Sequence, residues 1–295
     1  MAPQHIALAV IVAALWGFNF VVIKVGLDHY PPFLLTFMRF AIACLPVLFI
    51  PRPAISTGKL VVIGMVWFFA QFMLTFFAFI AGMSPGVASV VLQSQAFFTV
   101  AIAALWQREM PSGRQIAGMT VAFCGLTVIA LTIGGSAGTG EITMLGLLLC
   151  LASALSWATG NVMVRVTGGK VDMTSLVIWG CLVPLVPAFL MSLLFEGWPL
   201  IVASITSVHW AGVGAIFYLA IAATWVGFGI WGKLLKIYPA AQVAPFSMLV
   251  PVFGTLSAVL VLGERFSPQR LVGMVLVVAG LLVVSLPMPR RWRRS

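Results

Sequence analysis

GVASVVLQSQAFFTVAIAALWQREMPSGRQIAGMTVAFCGLTVIAL at residues 86–131 and AAQVAPFSMLVPVFGTLSAVLVLGERFSPQRLVGMVLVVAGLLVVSL at residues 240–286 are two copies of one pattern, offset by 155 residues. Glu109 falls on Glu264, and Ser112, Gly118 and Gly125 fall on Ser267, Gly273 and Gly280 without a gap. Further upstream, Trp16 and Asn19 have counterparts in Trp157 and Asn161, with one residue inserted. The repeated unit holds five apolar runs, an odd number, so the second copy must enter a membrane from the face opposite to the first. Such inverted duplications are common in secondary transporters, whose substrate sites lie near the bilayer midplane where the copies meet.

Composition supplies the membrane. Of 295 residues, 62% are hydrophobic and only 7% charged, against about a quarter charged in a soluble domain. A spanning helix takes about 20 apolar residues, so the chain holds about ten and leaves no room for a large extramembrane domain. Runs separated by Pro, Gly and charge place candidate helices at 6–25, 33–51, 60–81, 86–106, 112–133, 142–165, 172–195, 208–231, 240–262 and 268–288. The first run lacks a basic leader and a convincing cleavage site, so it reads as a span and not as a signal peptide. The expectation is an all-α polytopic membrane protein, with ten transmembrane helices as two inverted five-helix repeats around a central cavity. The first repeat covers 1–133, a linker 134–141, the second repeat 142–288 and a basic cytoplasmic tail 289–295. A self-contained duplication of this kind permits a functional monomer.

The net charge of +10 then reports topology. One set of loops holds Arg52, Lys59, Arg108, Arg114, Arg165, Lys170, Lys233, Lys236 and the tail Arg290, Arg291, Arg293 and Arg294; the other holds only Lys24, Arg265 and Arg270. Basic residues collect in cytoplasmic loops, which places both termini in the cytoplasm, with the tail against anionic lipid. No basic soluble face exists for nucleic acid, so none is expected as a partner.

Enzyme chemistry finds little to work with. His5, His29 and His209 lie at span ends or in loops, leaving no membrane-buried Ser/His pair. No acidic or Glu/His cluster suits a metal, and no cofactor is expected. Cys44, Cys124, Cys150 and Cys181 have no metal or redox spacing and read as small core residues. The six acids, Asp28, Glu109, Glu141, Asp172, Glu196 and Glu264, fall in loops or at helix ends. A proton-driven exporter of cations normally needs a carboxylate at mid-membrane, so the expectation is facilitated export down a gradient, or coupling through a group that the sequence does not identify.

The candidate substrate-binding residues are polar or aromatic side chains within spans. Arg39 is the one basic residue inside a span; it either attracts a substrate carboxylate or acts as a structural fixture, by snorkelling or by bonding helix-end carbonyls. Gln71, Gln93 and Gln95 either line a cavity or bond between helices. Gln93 and Gln95, two residues apart, are expected on different faces of an α-helix. Trp16, Trp157, Trp179 and Trp225 lie toward mid-span, where each either packs around a ligand or fills the bundle. Asn19, two residues after Gly17, can reach the centre, and Asn161 matches it. Pro245 and Pro251 are hinge or kink candidates in the ninth run; the fourth run has Val90 and Ala96 at the equivalent places, so the halves are expected to bend differently.

LWGFNFVVIKVG, PPFLLTFMRF, ASVVLQSQAFFT, SWATGN and VAPFSMLVP, with the helix-ending Glu109 and Glu264, resemble the EamA family of the drug/metabolite transporter superfamily through almost the whole chain. The resemblance is strongest to its bacterial inner-membrane amino-acid exporters. It implies a multi-pass inner-membrane protein that exports an amino acid, aromatic or neutral, or else cysteine and O-acetylserine, by alternating access. Efflux of hydrophobic drugs or other small metabolites is the alternative within the same family. The motif residues that the resemblance carries over are Trp16, Asn19, Lys24, Arg39, Gln93, Gln95, Glu109, Trp157, Asn161, Pro251 and Glu264, the two glutamates as structural elements.

Overall fold

A computed structural model describes residues 1–108, 110–133, 142–167 and 171–285. Glu109, Glu141, the 134–141 linker and the 289–295 tail lie outside these. Among the described residues ten apolar helical segments follow one another: α1 (Pro3–His29), α2 (Pro32–Leu48), α3 (Thr57–Ile80), α4 (Pro85–Trp106), α5 (Gly113–Leu131), α6 (Met144–Val166), α7 (Met173–Glu196), α8 (Trp210–Ile237), α9 (Ala244–Leu262) and α10 (Pro268–Val284). Eight are long and apolar enough to cross a membrane; α2 and α10 are shorter. A further short helix, Trp198–Thr206, fills the gap between α7 and α8.

Local chemistry sets the helix starts. Pro32 and Pro85 stand in the first turns of α2 and α4, where a missing N–H costs nothing. Ser84, Thr143 and Asp172 each accept a backbone N–H at the head of α4, α6 and α7, and Ser112 with Gln115 forms a reciprocal capping box at α5.

The outer surface is apolar. Phe123 is 71% exposed and Leu260 73%, which is the surface hydrocarbon would cover. Cys44, Cys150 and Cys181 are buried as expected of small core residues, but Cys124 is exposed on α5. A helix with lipid on one side and protein on the other is apolar all round, so composition could not separate the two faces.

Two sets of small residues let helices touch backbone to backbone. α5 and α10 share the most extensive helix–helix contact. A Cβ added to Gly125 would lie 2.7 Å from the carbonyl oxygen of Gly273, and one added to Gly118 would lie 2.7 Å from that of Gly280. Where α1, α4 and α9 meet, a Cβ on Gly254 would come within 2.4 Å of the Ser89 Cβ, and one on Gly17 within 2.8 Å of the Gly254 nitrogen. Only glycine permits this approach.

Several helices leave α geometry part-way. π turns occupy Met65–Ala70 in α3 and Tyr218–Val226 in α8; 3-10 turns occupy Leu45–Leu48 in α2, Leu92–Ser94 in α4 and Ala244–Leu249 in α9. Pro46 and Pro245 account for two of them by withholding an N–H. α4 is interrupted without a proline, so the missing proline does not by itself make the fourth helix straight. Non-α backbone at membrane depth is tolerated where it is buried or lines a cavity, and these turns point to the place where it does.

Candidate functional site

A cavity of about 280 Å³ lies among the helices, and all of α1–α4 and α6–α9 contribute to its wall. The interrupted stretches supply some of these residues: Trp67 from the α3 π turn, Ala223 from the α8 π turn, Leu92 and Gln93 from the α4 3-10 turn, and Ser247 from that of α9.

Eight of the ten substrate-binding candidates line it: Trp16, Asn19, Arg39, Gln71, Gln93, Gln95, Trp157 and Asn161. Gln93 donates to the Ser247 carbonyl at 3.4 Å, while the Gln95 side-chain oxygen accepts from Asn161 Nδ2 at 3.0 Å. The expectation that the two glutamines part company is corrected: both reach the same cavity. The 3-10 turn at Leu92–Ser94 advances about 120° per residue, which brings alternate side chains nearer to one side than an α-helix would.

Trp179 and Trp225 are placed elsewhere. Their indole N–H groups donate to the Ile50 and Ala43 carbonyls at 2.9 and 2.8 Å. The α2 helix tightens into a 3-10 turn around Pro46, where the Val47 N–H turns to the Cys44 carbonyl at 2.9 Å, so the Ala43 carbonyl has no helical donor and the Trp225 indole takes it. Pro245 lies in the 3-10 turn that opens α9, and Pro251 stands at the start of its regular part.

Sequence reasoning passed over Trp67, Thr75, Phe228, Trp231 and Ser247, all of which line the cavity. Trp67 and Phe228 sit in aromatic runs that look like filler. In space Trp231, Trp16, Phe228, Trp157 and Trp67 form one chain of rings with neighbouring centroids 5.3, 5.2, 6.4 and 5.6 Å apart. The Trp16 indole donates to the Ala223 carbonyl at 3.0 Å, using a backbone group within the α8 π turn.

Arg39 does not snorkel. It is 2% exposed, and its guanidinium lies 3.8 Å from the Phe72 ring centroid and 4.8 Å from that of Phe40. No described carboxylate pairs with it. Gln71 is also buried and makes a compact network: its Nε2 donates to Thr75 and Ser153 hydroxyls, each at 3.1 Å, and both hydroxyls donate back to the Gln71 backbone carbonyl.

The described acids are all engaged away from the cavity. Asp28 pairs with Lys24, and Asp172 with Lys236, which holds the Asp172 carboxyl below its usual range. Glu196 accepts from the Phe33 and Leu34 N–H groups at the head of α2. Glu264 does the same for α4: the Ser84 hydroxyl and the Gly86 N–H both donate to its carboxylate. Burial raises the Glu264 carboxyl above its ordinary value.

The cavity extends from mid-bundle to one end. Met173 at the start of α7, Trp231 near the end of α8 and Ser247 near the start of α9 all line it. At the other end the Glu264 bonds to α4, and at mid-bundle beside the cavity the Gly17–Ser89–Gly254 crossing, hold α1, α4 and α9 together.

A largely apolar cavity with a few polar side chains in its wall, inside a bundle of apolar helices, is what a membrane carrier needs, and the comparisons agree. "Probable amino-acid metabolite efflux pump" proteins of Escherichia coli (strain K12) and Salmonella typhimurium (strain LT2) are 40% and 42% identical to this chain; the matches cover 100% and 94% of it and 98% and 93% of the relatives. A solved crystal structure, 21% identical, superposes with a TM-score of 0.62 over 96% of both chains and shares the fold. The family model described as "EamA-like transporter family" matches twice, at residues 4–131 and 144–286. Two matches that together take in nearly the whole chain make this multi-pass membrane protein a member of the EamA-like transporter family.

Proposed function

We propose that the chain exports amino acids and related metabolites across the bacterial inner membrane by alternating access, with both termini in the cytoplasm and α2 and α10 completing ten crossings. The observation that carries this reading is the cavity itself: about 280 Å³, walled by apolar side chains and indoles among which stand a few amides and one buried guanidinium. That volume is at the small end of ligand pockets, about 300–1,000 Å³, and suits a metabolite better than a bulky drug. The unpaired positive charge of Arg39 also disfavours hydrophobic cations. The names of the 40% and 42% identical relatives point the same way.

Two observations support an inverted pair of repeats. The halves match one family model separately. Gly118 corresponds to Gly273 and Gly125 to Gly280 in sequence, yet in space Gly118 meets Gly280 and Gly125 meets Gly273. Reciprocal contact between equivalent positions is the mark of a two-fold relation. Under the positive-inside rule, the end that the cavity reaches carries Arg52, Lys233 and Lys236 and faces the cytoplasm. On this reading the carrier is ready to load from inside. The chain works as a monomer, and no described carboxylate in the cavity wall couples it to protons.

The test is counterflow. Purified protein in liposomes preloaded with unlabelled amino acid is offered labelled cysteine, threonine, methionine, phenylalanine or tryptophan. Transient saturable accumulation of at least one is expected. Silence across the panel would remove the amino-acid reading and bring drugs or other metabolites forward.

A further inference from the structure

Buried polar atoms in folded proteins are nearly always hydrogen-bonded, and each exception calls for a reason. Among the described residues six buried side-chain atoms have no hydrogen-bond partner, and five of them belong to four residues of the cavity wall. They are Asn19 Oδ1, Gln71 Oε1, Trp67 Nε1, and Nε and Nη1 of Arg39. The set divides by chemistry into three N–H donors, two of them on a cation, and two amide carbonyl acceptors. In Gln71 the amide nitrogen is already committed to Thr75 and Ser153, which leaves the carbonyl as its free end.

We propose that the cavity takes a free α-amino acid by both of its charged groups: the carboxylate by Arg39 and the Trp67 indole N–H, the ammonium by the side-chain carbonyls of Asn19 and Gln71. This rests on the amino-acid reading above and adds which groups are recognised. A guanidinium matches a carboxylate in charge and in geometry, and an indole N–H can only donate. An ammonium carries donors only, so two carbonyl oxygens complement it without a second ion. The aromatic chain from Trp231 to Trp157 is left to face the variable side chain. All five orphaned atoms are closed off from solvent, so the wall has to shift around the ligand for them to reach it. Binding is thereby tied to rearrangement, as a carrier requires and a channel does not.

The wall has a fixed positive charge and, among the described residues, no negative one. A molecule with an ammonium but no carboxylate meets repulsion from Arg39. One with a carboxylate but no ammonium leaves two carbonyls unpaired. The cavity therefore selects against both.

The experiment uses the whole protein in liposomes and the labelled amino acid that the counterflow panel identifies, in competition with its own N-acetyl and carboxamide derivatives. Each derivative is expected to compete at least about tenfold more weakly, the order expected for losing a charged hydrogen-bonded contact. Trp67→Phe keeps the ring and removes the donor. It should raise the half-saturating concentration of the free amino acid several-fold and weaken the carboxamide less, since its neutral carbonyl accepts the same N–H without the charge. Derivatives that compete as well as the parent would overturn the proposal while leaving amino-acid export standing. Equal losses for acid and carboxamide in Trp67→Phe would return Trp67 to packing and overturn its assignment. If no amino acid is carried at all, it is the exporter reading that fails, and the panel shows this before any derivative is added.

Discussion

A guanidinium between two phenylalanine rings, with no carboxylate beside it, is an expensive way to fill space. Cation–π contact returns about 2 kcal/mol or somewhat more for a desolvated pair, less than the several kcal/mol that burying an unpaired charge costs. Natural proteins keep such residues where function depends on them. Arg39→Met should therefore abolish counterflow while leaving the melting temperature in detergent unchanged or higher, by the equivalent of about 1 kcal/mol or more. A variant that unfolds earlier and still transports would make Arg39 a structural fixture. Arg39, Trp16, Asn19 and the three glutamines were legible in the sequence because a polar group in an apolar run always needs an explanation. Trp67 was not, since tryptophan in the run MVWFFA reads the same whether its N–H is bonded or orphaned. Trp179 and Trp225 misled for the converse reason: their partners are carbonyls at the irregular end of α2, which single-residue chemistry does not reveal.

At the scale of helices, one end of the bundle is fastened by acids acting as caps. Glu264 joins the loop after α9 to the head of α4, and Glu196 joins the end of α7 to the head of α2. Arg270, on α10, is the charged group that attracts the buried Glu264 carboxylate, and neighbouring Arg265 is exposed. Burial outweighs Arg270, Ser84 and Gly86 and raises the Glu264 carboxyl above 4.5. A fold that favours the protonated acid gains most from it below 4.5 and loses that gain as pH rises through the folded value. Glu264→Gln should accordingly flatten the fall in melting temperature as pH rises above about 4.5. Parallel curves for the two proteins would show that this carboxyl does not titrate with folding. At the α1–α4–α9 crossing, Gly254→Val would press a branched side chain into Ser89 and is expected to cost about 2 kcal/mol or more in stability; an unchanged melting temperature would mean that the crossing is looser than described. Helix positions were legible from apolar runs and their Pro, Gly and charge boundaries. The π and 3-10 turns were not, because only some have a proline to announce them.

For the molecule as a whole, the proposed ten crossings make a directional statement about loops. In a background where the exposed Cys124 is replaced by serine, Arg265→Cys should react with a membrane-impermeant thiol reagent added to intact cells, and Arg52→Cys only after the cells are opened. Labelling of both from outside would reverse or break the topology. The duplication was legible in the chain itself, from the repeat at 86–131 and 240–286, whereas the extent of the cavity was not, since it depends on how eight helices pack together. A last consequence follows from the cavity wall, where one fixed positive charge stands without a described negative one. A zwitterion carried past such a wall takes no net charge with it, and the arginine stays with the protein. On the proposed reading the membrane voltage then has no hold on the cargo, so imposing a potassium diffusion potential should leave the flux unaltered. The ratio of amino acid inside to outside alone would set the direction, and the protein would serve as a relief valve that opens on surplus and idles in scarcity.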